Sequence, residues 1–320
     1  MNEFELIQKF FAVQPVRRKD VALGIGDDAA LLEVPAGMQL VATVDSLVAG
    51  MHFPASLSAE DIGHRALAVN LSDLAAMGAE PAWALLALTL PEVDEKWLTD
   101  FARGFFALSE HYKMTLVGGN IARGALNITA AVHGFAPRGK ALTRRGAKPG
   151  DGIYVTGELG AAAAGLRLLQ NRISGPGSER LCTRFARPEP RIAAGLGLRE
   201  LASAAIDISD GFLADLVHIL QLSGVGAEVE VDALPLAAEA VELLGQAEAR
   251  QLAFAGGDDY ELCFTLPLSK VAQMNAQLSQ FGCPVTRVGV ITAEKSLHCL
   301  QADGSKWIPD ADISGYQHFQ

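Results

Sequence analysis

The stretch ALAVNLSDLAAMGAEPAWALLALTLP, residues 66–91, decides the fold class of this chain. Its first part continues a helical pattern over 58–78, with capping-box spacing between Ser58 and Asp61 and a stop at Gly78. Its second part contains the apolar run 83–90, which is typical of a buried strand. Helix and strand patterns alternate in this way in both halves of the chain, which predicts an α/β or α+β fold.

Bulk composition excludes several classes of protein. The 320 residues are half hydrophobic, enough for two domains, and the net charge of -11 disfavours nucleic-acid binding. The four cysteines form no C-x-x-C pair, so we expect neither a disulfide framework nor a zinc site. No apolar run is long enough to span a membrane, and the first residues do not resemble a signal peptide. We therefore expect a cytoplasmic protein that binds no membrane.

A basic segment near the middle of the chain divides it. Gly and Pro within 138–150 favour a linker, which leaves an N-terminal domain, 1–137, and a C-terminal domain, 151–320. In the C-terminal domain the apolar segment 204–209 predicts a buried strand, and 210–224 predicts a helix with Asp210 as its N-cap.

Familiar nucleotide-binding motifs are missing. No P-loop occurs, and GIGDDA (24–29) is a poor dinucleotide fingerprint because its two acids would repel a pyrophosphate. What remains is a set of aspartates beside glycines and at predicted strand and helix ends: Asp27, Asp28, Asp45, Asp73, Asp207, Asp210, Asp258 and Asp259.

Most of these acids have an ordinary structural explanation as turn or cap residues. Asp73 is the exception, because its apolar helical neighbours make an unpaired carboxylate costly. Asn70 lies one turn earlier on the same face of the helix. Carboxylates with few His or Cys favour a hard cation, Mg²⁺ first, which shares its ligands with substrate phosphates.

Donors for phosphate are also present. Gly118 and Gly119 follow a predicted strand and would expose backbone N–H groups, and Arg144 and Arg145 could form a bidentate clamp. For the two arginines a solvated charge pair is the simpler explanation. His52 is more often a loop or core histidine than a ligand.

Seven motifs together carry a family resemblance. They occur in the order GIGDDAALL, TVDSLVAGMHF, ALAVNLSDLAAMGAEPAWALLALTLP, LVGGN, ALTRRGAKPGD, AIDISDGFLADL and GGDDYELCF. From about residue 3 to the terminal GYQHF, the chain closely resembles the thiamine-monophosphate kinase family of the aminoimidazole-ribonucleotide-synthetase-like superfamily. The resemblance implies a two-domain α/β fold and a homodimer paired through the N-terminal sheets. It also implies Mg²⁺-dependent transfer of the γ-phosphoryl group of ATP to thiamine monophosphate.

The resemblance further implies site residues. Several Mg²⁺ ions would be held by Asp28, Thr43, Val44, Asp45, Asp73, Asn120, Asp207 and Asp210. ATP, the co-substrate, would contact Gly119, Asn120, Arg144 and Ser209. Thiamine monophosphate would contact His52, Asp258 and Tyr316. The residues expected to be catalytic are Asp73, Asp210 and Arg144.

One segment departs from the family pattern. The family commonly has GGD followed by T-T-[RK]-G, whereas GGNIARG (118–124) places Asn120 at a metal-ligand position. Two alternative functions stay open. One is another ATP-using member of the superfamily, such as aminoimidazole ribonucleotide synthetase or selenide, water dikinase, although the dikinase uses an early cysteine and the first here is Cys182. The other is a non-catalytic nucleotide-binding derivative.

Overall fold

The computed structural model describes residues 2–13 and 18–308. These residues form two compact units: the first comprises the chain up to Leu74 together with Ala79–Gly139, and the second comprises Ala75–Gly78 and the chain from Lys140 onward. The division falls inside the predicted linker, 138–150, whose role and flanking domain bounds stay predictions. In the two described ranges, no helix combines the length and hydropathy needed to cross a membrane.

The first unit combines helices with a mixed β-sheet. Its elements are α1 (Glu3–Leu6, continued by a π-helical turn, Ile7–Phe11), β1 (Val21–Leu23), β2 (Leu31–Leu32), β3 (Met38–Val48), α2 (Ala59–Ala76), β4 (Glu80–Leu90), α3 (Glu95–His111), β5 (Thr115–Arg123) and β6 (Asn127–Pro137). The main sheet has the strand order β3-β6-β4-β5, and β1 pairs with β2 separately. Only β4 and β5 run parallel; the other neighbours are antiparallel.

The helix predicted over 58–78 is confirmed as α2, and the predicted strand over 83–90 lies within β4. Along β6, Ile128, Ala130 and Val132 are at most 1% exposed, while the residues between them are half-buried. Helix α2 packs on this buried face, because the Leu74 side chain lies beside Gly134. The sheet therefore has one face covered by helix and one more open face.

Two glycines allow α2 and α3 to approach closely. A Cβ atom added at Gly104 would lie 1.8 Å from the carbonyl oxygen of Glu60, and one added at Gly63 would lie 2.1 Å from that of Phe101. Both distances are far below van der Waals contact with a rigid backbone atom. The helices thus pack backbone against backbone at this crossing.

The second unit is built around a largely antiparallel sheet of order β13-β12-β9-β11-β7-β10-β8. Its elements are β7 (Gly152–Thr156), α4 (Ala161–Asn171), α5 (Ser178–Ala186), α6 (Ile192–Leu198), β8 (Ala204–Asp207), α7 (Phe212–Ser223), β9 (Gly226–Glu230), α8 (Ala238–Leu244), α9 (Gln246–Ala255), β10 (Leu262–Leu266), α10 (Val271–Leu278), β11 (Val285–Thr292), β12 (Leu297–Leu300) and β13 (Lys306–Trp307). Short 3₁₀ turns cover Val231–Ala233, Leu268–Lys270 and Ser279–Phe281.

Packing around α7 fixes the turn that precedes it. Phe212 and Leu216 of α7 and Ile206 of β8 are at most 1% exposed and belong to one apolar cluster. The predicted cap is wrong: the N-cap residue of α7 is Gly211, and no side chain caps the helix there. The buried strand and the buried helix therefore hold the 207–211 turn from both sides.

The glycine crossing generates a stability prediction. Gly104→Ala should lower the free energy of unfolding by about 1–3 kcal/mol, because the new methyl group forces a rigid carbonyl to move. Ala107→Ser, on the exposed side of the same helix, should change it by less than about 0.5 kcal/mol. Chemical denaturation of both variants measures the difference. Equal unfolding midpoints would show that the two helices do not approach as closely as described.

Candidate active site

The acidic turn, residues 24–28, links β1 to the rest of the first unit. Asp27 and Asp28 are both exposed, and the Asp28 N–H donates to Oδ1 of Asp27 at 2.9 Å. Gly26 has φ +129°, a backbone conformation that L side chains rarely adopt, which explains a glycine in front of the two acids. The turn thus presents two carboxylates to solvent on a backbone that only glycine adopts readily.

The same turn borders a cavity of about 850 Å³ in the first unit. Its polar lining includes Asp27, Asp28 and Asn120, and its floor is formed by apolar residues of β4 and β5. At Gly119, also in the lining, a Cβ atom would come within 1.8 Å of the Leu86 carbonyl oxygen, so the two strands require a glycine here. The volume is that of a small-molecule site.

An ion pair anchors the start of β1 and hence the acidic turn. Both carboxylate oxygens of Asp20 accept from Arg18, at 2.9 and 2.6 Å, and Oδ1 also accepts from the Trp83 indole at 3.1 Å. Burial raises the pKa of Asp20, but the hydrogen bonds from Arg18 and Trp83 outweigh it, and the net pKa lies below the ordinary value of 3.8. The charged form of Asp20 therefore stabilises the folded state.

A second acidic group lies on the helix-covered face of the sheet. The Thr43 hydroxyl donates to Oδ2 of Asp73 at 2.5 Å, which joins β3 to α2. Asp45 lies two residues along β3 and therefore on the same face as Thr43. Val44 lies between them and is 59% exposed. Because its side chain is apolar, it could serve a cation only through its backbone carbonyl.

His52 lies in the turn that follows β3. Its Nδ1 accepts the Val48 N–H at 2.9 Å, which leaves the proton of the neutral ring on Nε2. Sequence alone favoured an ordinary loop histidine, and this hydrogen bond is of that kind. His52 as a whole is half-buried.

The acids of the first unit fall into two sets at opposite edges of its sheet. Ser46, Thr129, Ala87 and Asn120 are paired in one row across the four strands, and the bond of 2.7 Å between the hydroxyls of Ser46 and Thr129 places this row on the open face. Asp45 points to the other face. Three strand spacings, roughly 14 Å in all, separate β3 from β5.

In the second unit, the 207–211 turn is held by a buried carboxylate. Oδ2 of Asp215, which is 3% exposed, accepts the N–H groups of Ser209, Asp210 and Gly211 at 3.0, 3.1 and 3.2 Å. Burial and the charge of Asp210 raise the pKa of Asp215 to about 7, although the three N–H groups lower it. Asp207 is buried at the end of β8, and Ser209 and Asp210 are half-buried.

The loop 256–261 lies directly against this turn. The Asp258 N–H donates to the Ser209 carbonyl, and the Tyr260 N–H donates to the Ile208 carbonyl, both at 2.9 Å. Asp258 and Tyr260 adopt φ values of +69° and +51°, a left-handed conformation that is costly for residues other than glycine. The structure thus brings the predicted residues Ser209, Asp210 and Asp258 together.

Two further acids support the loop from inside the unit. Asp259 accepts from the backbone N–H groups of Gly160 and Ala162, at 2.7 and 3.2 Å, and burial raises its pKa to about 7. Glu261 is 0% exposed and accepts from Arg184 and twice from Arg191, at 2.6–2.7 Å. Burial lowers the pKa of Arg191, but its bonds to Glu261 raise it more.

Sequence reasoning singled out neither Glu261 nor Asp215. The sequence offered two signals. Glu261 lies at the start of an apolar strand, and Asp215 lies one turn into an apolar helix.

Other predicted residues are not brought to this turn. The Arg144 carbonyl accepts from the Ser223 hydroxyl at 3.4 Å, at the C-terminal end of α7, whereas Ser209 and Asp210 precede its N-terminal end. Twelve helical residues span roughly 18 Å. Tyr316 lies outside the described residues. In the part of the chain that the structure describes, no three His, Cys, Asp or Glu side chains are grouped closely enough to hold a metal ion.

Known proteins are similar to this chain over nearly its whole length. The N-terminal domain profile of the AIR synthase related proteins matches residues 26–136, and their C-terminal domain profile matches 148–299. The thiamine-monophosphate kinase of Salmonella typhimurium is 47% identical over 326 residues, covering 99% of this chain and 98% of the relative. The chain belongs to the thiamine-monophosphate kinase family.

Solved structures of the thiamine-monophosphate kinase family have the same fold. The crystal structure of the enzyme from Stenotrophomonas maltophilia K279a is 46% identical with a TM-score of 0.88, covering 96% of this chain and 98% of that one. AaThiL complexed with AMPPCP and TMP is 34% identical with a TM-score of 0.78, covering 99% and 96%. The predicted family and its two-domain fold class are therefore confirmed.

The Asp20 anchor generates a pH prediction. Because its folded pKa is depressed, Asp20 contributes stability above the unfolded value of 3.8 and loses it as pH falls through the folded pKa. Asp20→Asn should therefore destabilise by about 1–2 kcal/mol at pH 7 and by less below pH 4. Denaturation with urea at several pH values measures this.

Glu230→Gln is the control for Asp20, because it removes an exposed ion pair with Arg287 and should have little effect. A constant deficit for Asp20→Asn down to pH 3 would contradict the assignment of the stabilising charge to Asp20.

Proposed function

We infer that this chain transfers the γ-phosphoryl group of ATP to thiamine monophosphate, giving thiamine diphosphate and ADP. The observation that carries the inference is the family identity over nearly the whole chain, 47% over 326 residues. The related structure complexed with AMPPCP, an ATP analogue, and TMP agrees with both substrates. Within this chain, the adjacency of Ser209 and Asp258 supports it, because one residue is predicted for each substrate.

The transfer is direct and in line. The acceptor is a phosphate oxygen that is already anionic at neutral pH, so the reaction needs little general-base help. The residues of the chain therefore act by binding and orienting the two substrates and by stabilising the negative charge of the phosphate groups. In this proposal the residues that contact the substrates are Gly119, Arg144 and Ser209 for the nucleotide, and His52, Asp258 and Tyr316 for thiamine monophosphate.

The position of Arg144 constrains its role. Its backbone lies at the opposite end of α7 from Ser209, so the two residues contact different parts of the nucleotide. In His52, Nδ1 already accepts the Val48 N–H, so the proposed contact with thiamine monophosphate would involve the Nε2 side of the ring. Each of these contacts is a hydrogen bond to an anionic group, the kind that contributes most to binding.

The residues proposed to hold Mg²⁺ fit a hard cation. They offer carboxylate, hydroxyl, amide and backbone carbonyl oxygens, and they are Asp28, Thr43, Val44, Asp45, Asp73, Asn120, Asp207 and Asp210. When bound, Mg²⁺ neutralises phosphate charge and aligns the phosphates for transfer. Asn120 provides an oxygen without the charge of an aspartate.

The hydrogen bonds of the 207–211 turn favour the proposal that a cation binds beside it. Its N–H groups are occupied by Asp215 and are not available to phosphate. Asp207 and Asp210 therefore oppose ATP unless positive charge lies between them and the phosphates.

We also propose that the active enzyme is a homodimer with shared sites. Thr43, Asp45 and Asp73 lie at the β3 edge, whereas Asn120, which lines the same cavity as Asp28, lies on the β5 edge, three strand spacings or roughly 14 Å away. Strand β3 is an edge strand of eleven residues, and Val44 and Val48 are exposed on its open face. A second copy whose β5 edge approaches this strand completes the set. The cytoplasmic location stays a prediction of the sequence.

The proposed reaction predicts a defined product. Purified protein with Mg²⁺, ATP and thiamine monophosphate should form thiamine diphosphate and ADP in equal amounts, detected by chromatography. EDTA should abolish the reaction and excess Mg²⁺ should restore it. Unphosphorylated thiamine is the control acceptor and should not react.

Turnover of ATP with another acceptor, and none with thiamine monophosphate, would identify a different member of the superfamily. Binding of AMPPCP without any turnover would identify the non-catalytic derivative.

Shared sites predict complementation between inactive variants. One chain carries Asp73→Asn and the other carries Asp28→Asn with Asn120→Ala, each with its own affinity tag. Each variant homodimer should lose most activity, whereas the doubly purified heterodimer should regain about half, because one of its two sites has no substitution. If each chain forms its own complete site, the heterodimer stays as inactive as its parents. Light scattering should give twice 33.8 kDa for the wild type.

A further inference from the structure

The turn that carries Ser209 and Asp210 owes its backbone orientation to one internal side chain. A single oxygen of Asp215 accepts three successive N–H groups, from Ser209, Asp210 and Gly211, at 3.0–3.2 Å. Asp215 is 3% exposed. Bonds to a charged acceptor in a buried setting are stronger than bonds between neutral groups, so three successive peptide groups are fixed together.

This arrangement differs from the usual helix cap. An aspartate just before a helix normally caps it with its own side chain, and Asp210 is suited to that role. Here α7 begins after Gly211 and no side chain caps it at that residue; Asp215, which lies one turn into the helix, accepts the N–H groups of the three residues before it. The Asp210 carboxylate is consequently outside the cap, in a half-buried position.

Asp215 also determines what the turn offers a ligand. Successive N–H groups around a glycine with φ +124° resemble a backbone anion site. In this turn the internal carboxylate occupies that site. A phosphate approaching the turn therefore meets the side chains of Ser209 and Asp210 in place of N–H groups.

We propose that Asp215 is a positioning residue, which orients the 209–211 backbone so that Ser209 and Asp210 present their side chains to ATP and its metal ions. Asp215 itself touches neither substrate. This proposal rests on the proposed function, since it takes Ser209 and Asp210 as nucleotide and metal residues.

The effect should be selective for the nucleotide. Asp258, the residue proposed for thiamine monophosphate, lies on a loop with its own internal supports, Asp259 and Glu261. That loop bonds to the turn through the Ile208 N–H and through the carbonyls of Ile208 and Ser209, none of which is bonded to Asp215. Loss of the Asp215 charge should therefore weaken ATP and Mg²⁺ binding more than thiamine monophosphate binding.

The test compares Asp215→Asn and Asp215→Ala with the wild type. Asparagine keeps the shape and one acceptor oxygen, whereas alanine removes every acceptor. Calorimetric titration with AMPPCP and Mg²⁺ should show affinity reduced about tenfold in Asp215→Asn and further in Asp215→Ala. The Mg²⁺ concentration for half-maximal activity should rise in the same order, and the KM for thiamine monophosphate should change by less than about threefold.

Asp151→Asn is the matched control. Asp151 is 5% exposed and accepts from the Lys148 N–H and the Ser203 hydroxyl, but it supports no proposed site residue. It should lower the melting temperature and leave AMPPCP affinity unchanged. If Asp215→Asn behaves in the same way, Asp215 is only structural and the proposal is overturned.

If Asp215→Ala does not fold, the comparison of Asp215→Asn with the wild type is sufficient to test the role of Asp215. The AMPPCP titration does not depend on the acceptor. Wild-type protein that binds AMPPCP but forms no thiamine diphosphate would therefore refute the proposed reaction, while the comparison of variants still decides the role of Asp215.

Discussion

A buried carboxylate must find hydrogen bonds or a cation, and the C-terminal unit is organised around three that find them internally. Asp215 and Asp259 each accept backbone N–H groups at the start of a helix, and Glu261 accepts from two arginines. These are the donors that a phosphate group would otherwise use. The loops that carry Asp210 and Asp258 are therefore held from inside the unit, and the N–H groups of 209–211 are already bonded within the protein.

The N-terminal unit follows a different constraint, which is close approach of backbone to backbone. Glycines allow α2 to pack on α3, and Gly119 allows β5 to pack beside β4. The resulting sheet is rigid enough to hold Asp73 against Thr43, but its strand order also keeps this pair away from Asn120. The N-terminal sheet thus holds Asp73 against Thr43 and at the same time separates this pair from Asn120.

Periodicity and motifs predicted a large part of this structure. The helical pattern over 58–78 predicted α2, because the capping spacing of Ser58 and Asp61 and the stop at Gly78 mark the ends of a helix. The family motifs indicated Ser209, Asp210 and Asp258, which the fold brings together. The cap of α7 was mispredicted: local preference favours Asp210, whereas the N-cap residue is Gly211 and Asp215, one turn later, accepts the N–H groups that precede the helix.

Strand order was equally invisible in the sequence. The local sequence of a strand does not indicate its position in the sheet. That β3 and β5 are opposite edges, and that Asp45 is therefore separated from Asn120, is seen only in the three-dimensional structure. The arginines of Glu261 lie 70 and 77 residues away in the chain, and no local pattern connects them.

The open edge of β3 has a consequence for the newly synthesised chain. In the described part of the chain its only partner strand is β6, so most of its other side remains open to pairing with an extended segment. Until this edge is covered, it can pair with an extended segment of the wrong partner and lead to aggregation. The residues of β3 are therefore constrained by the need to avoid misassembly as well as by the side chains that the strand carries at its edge.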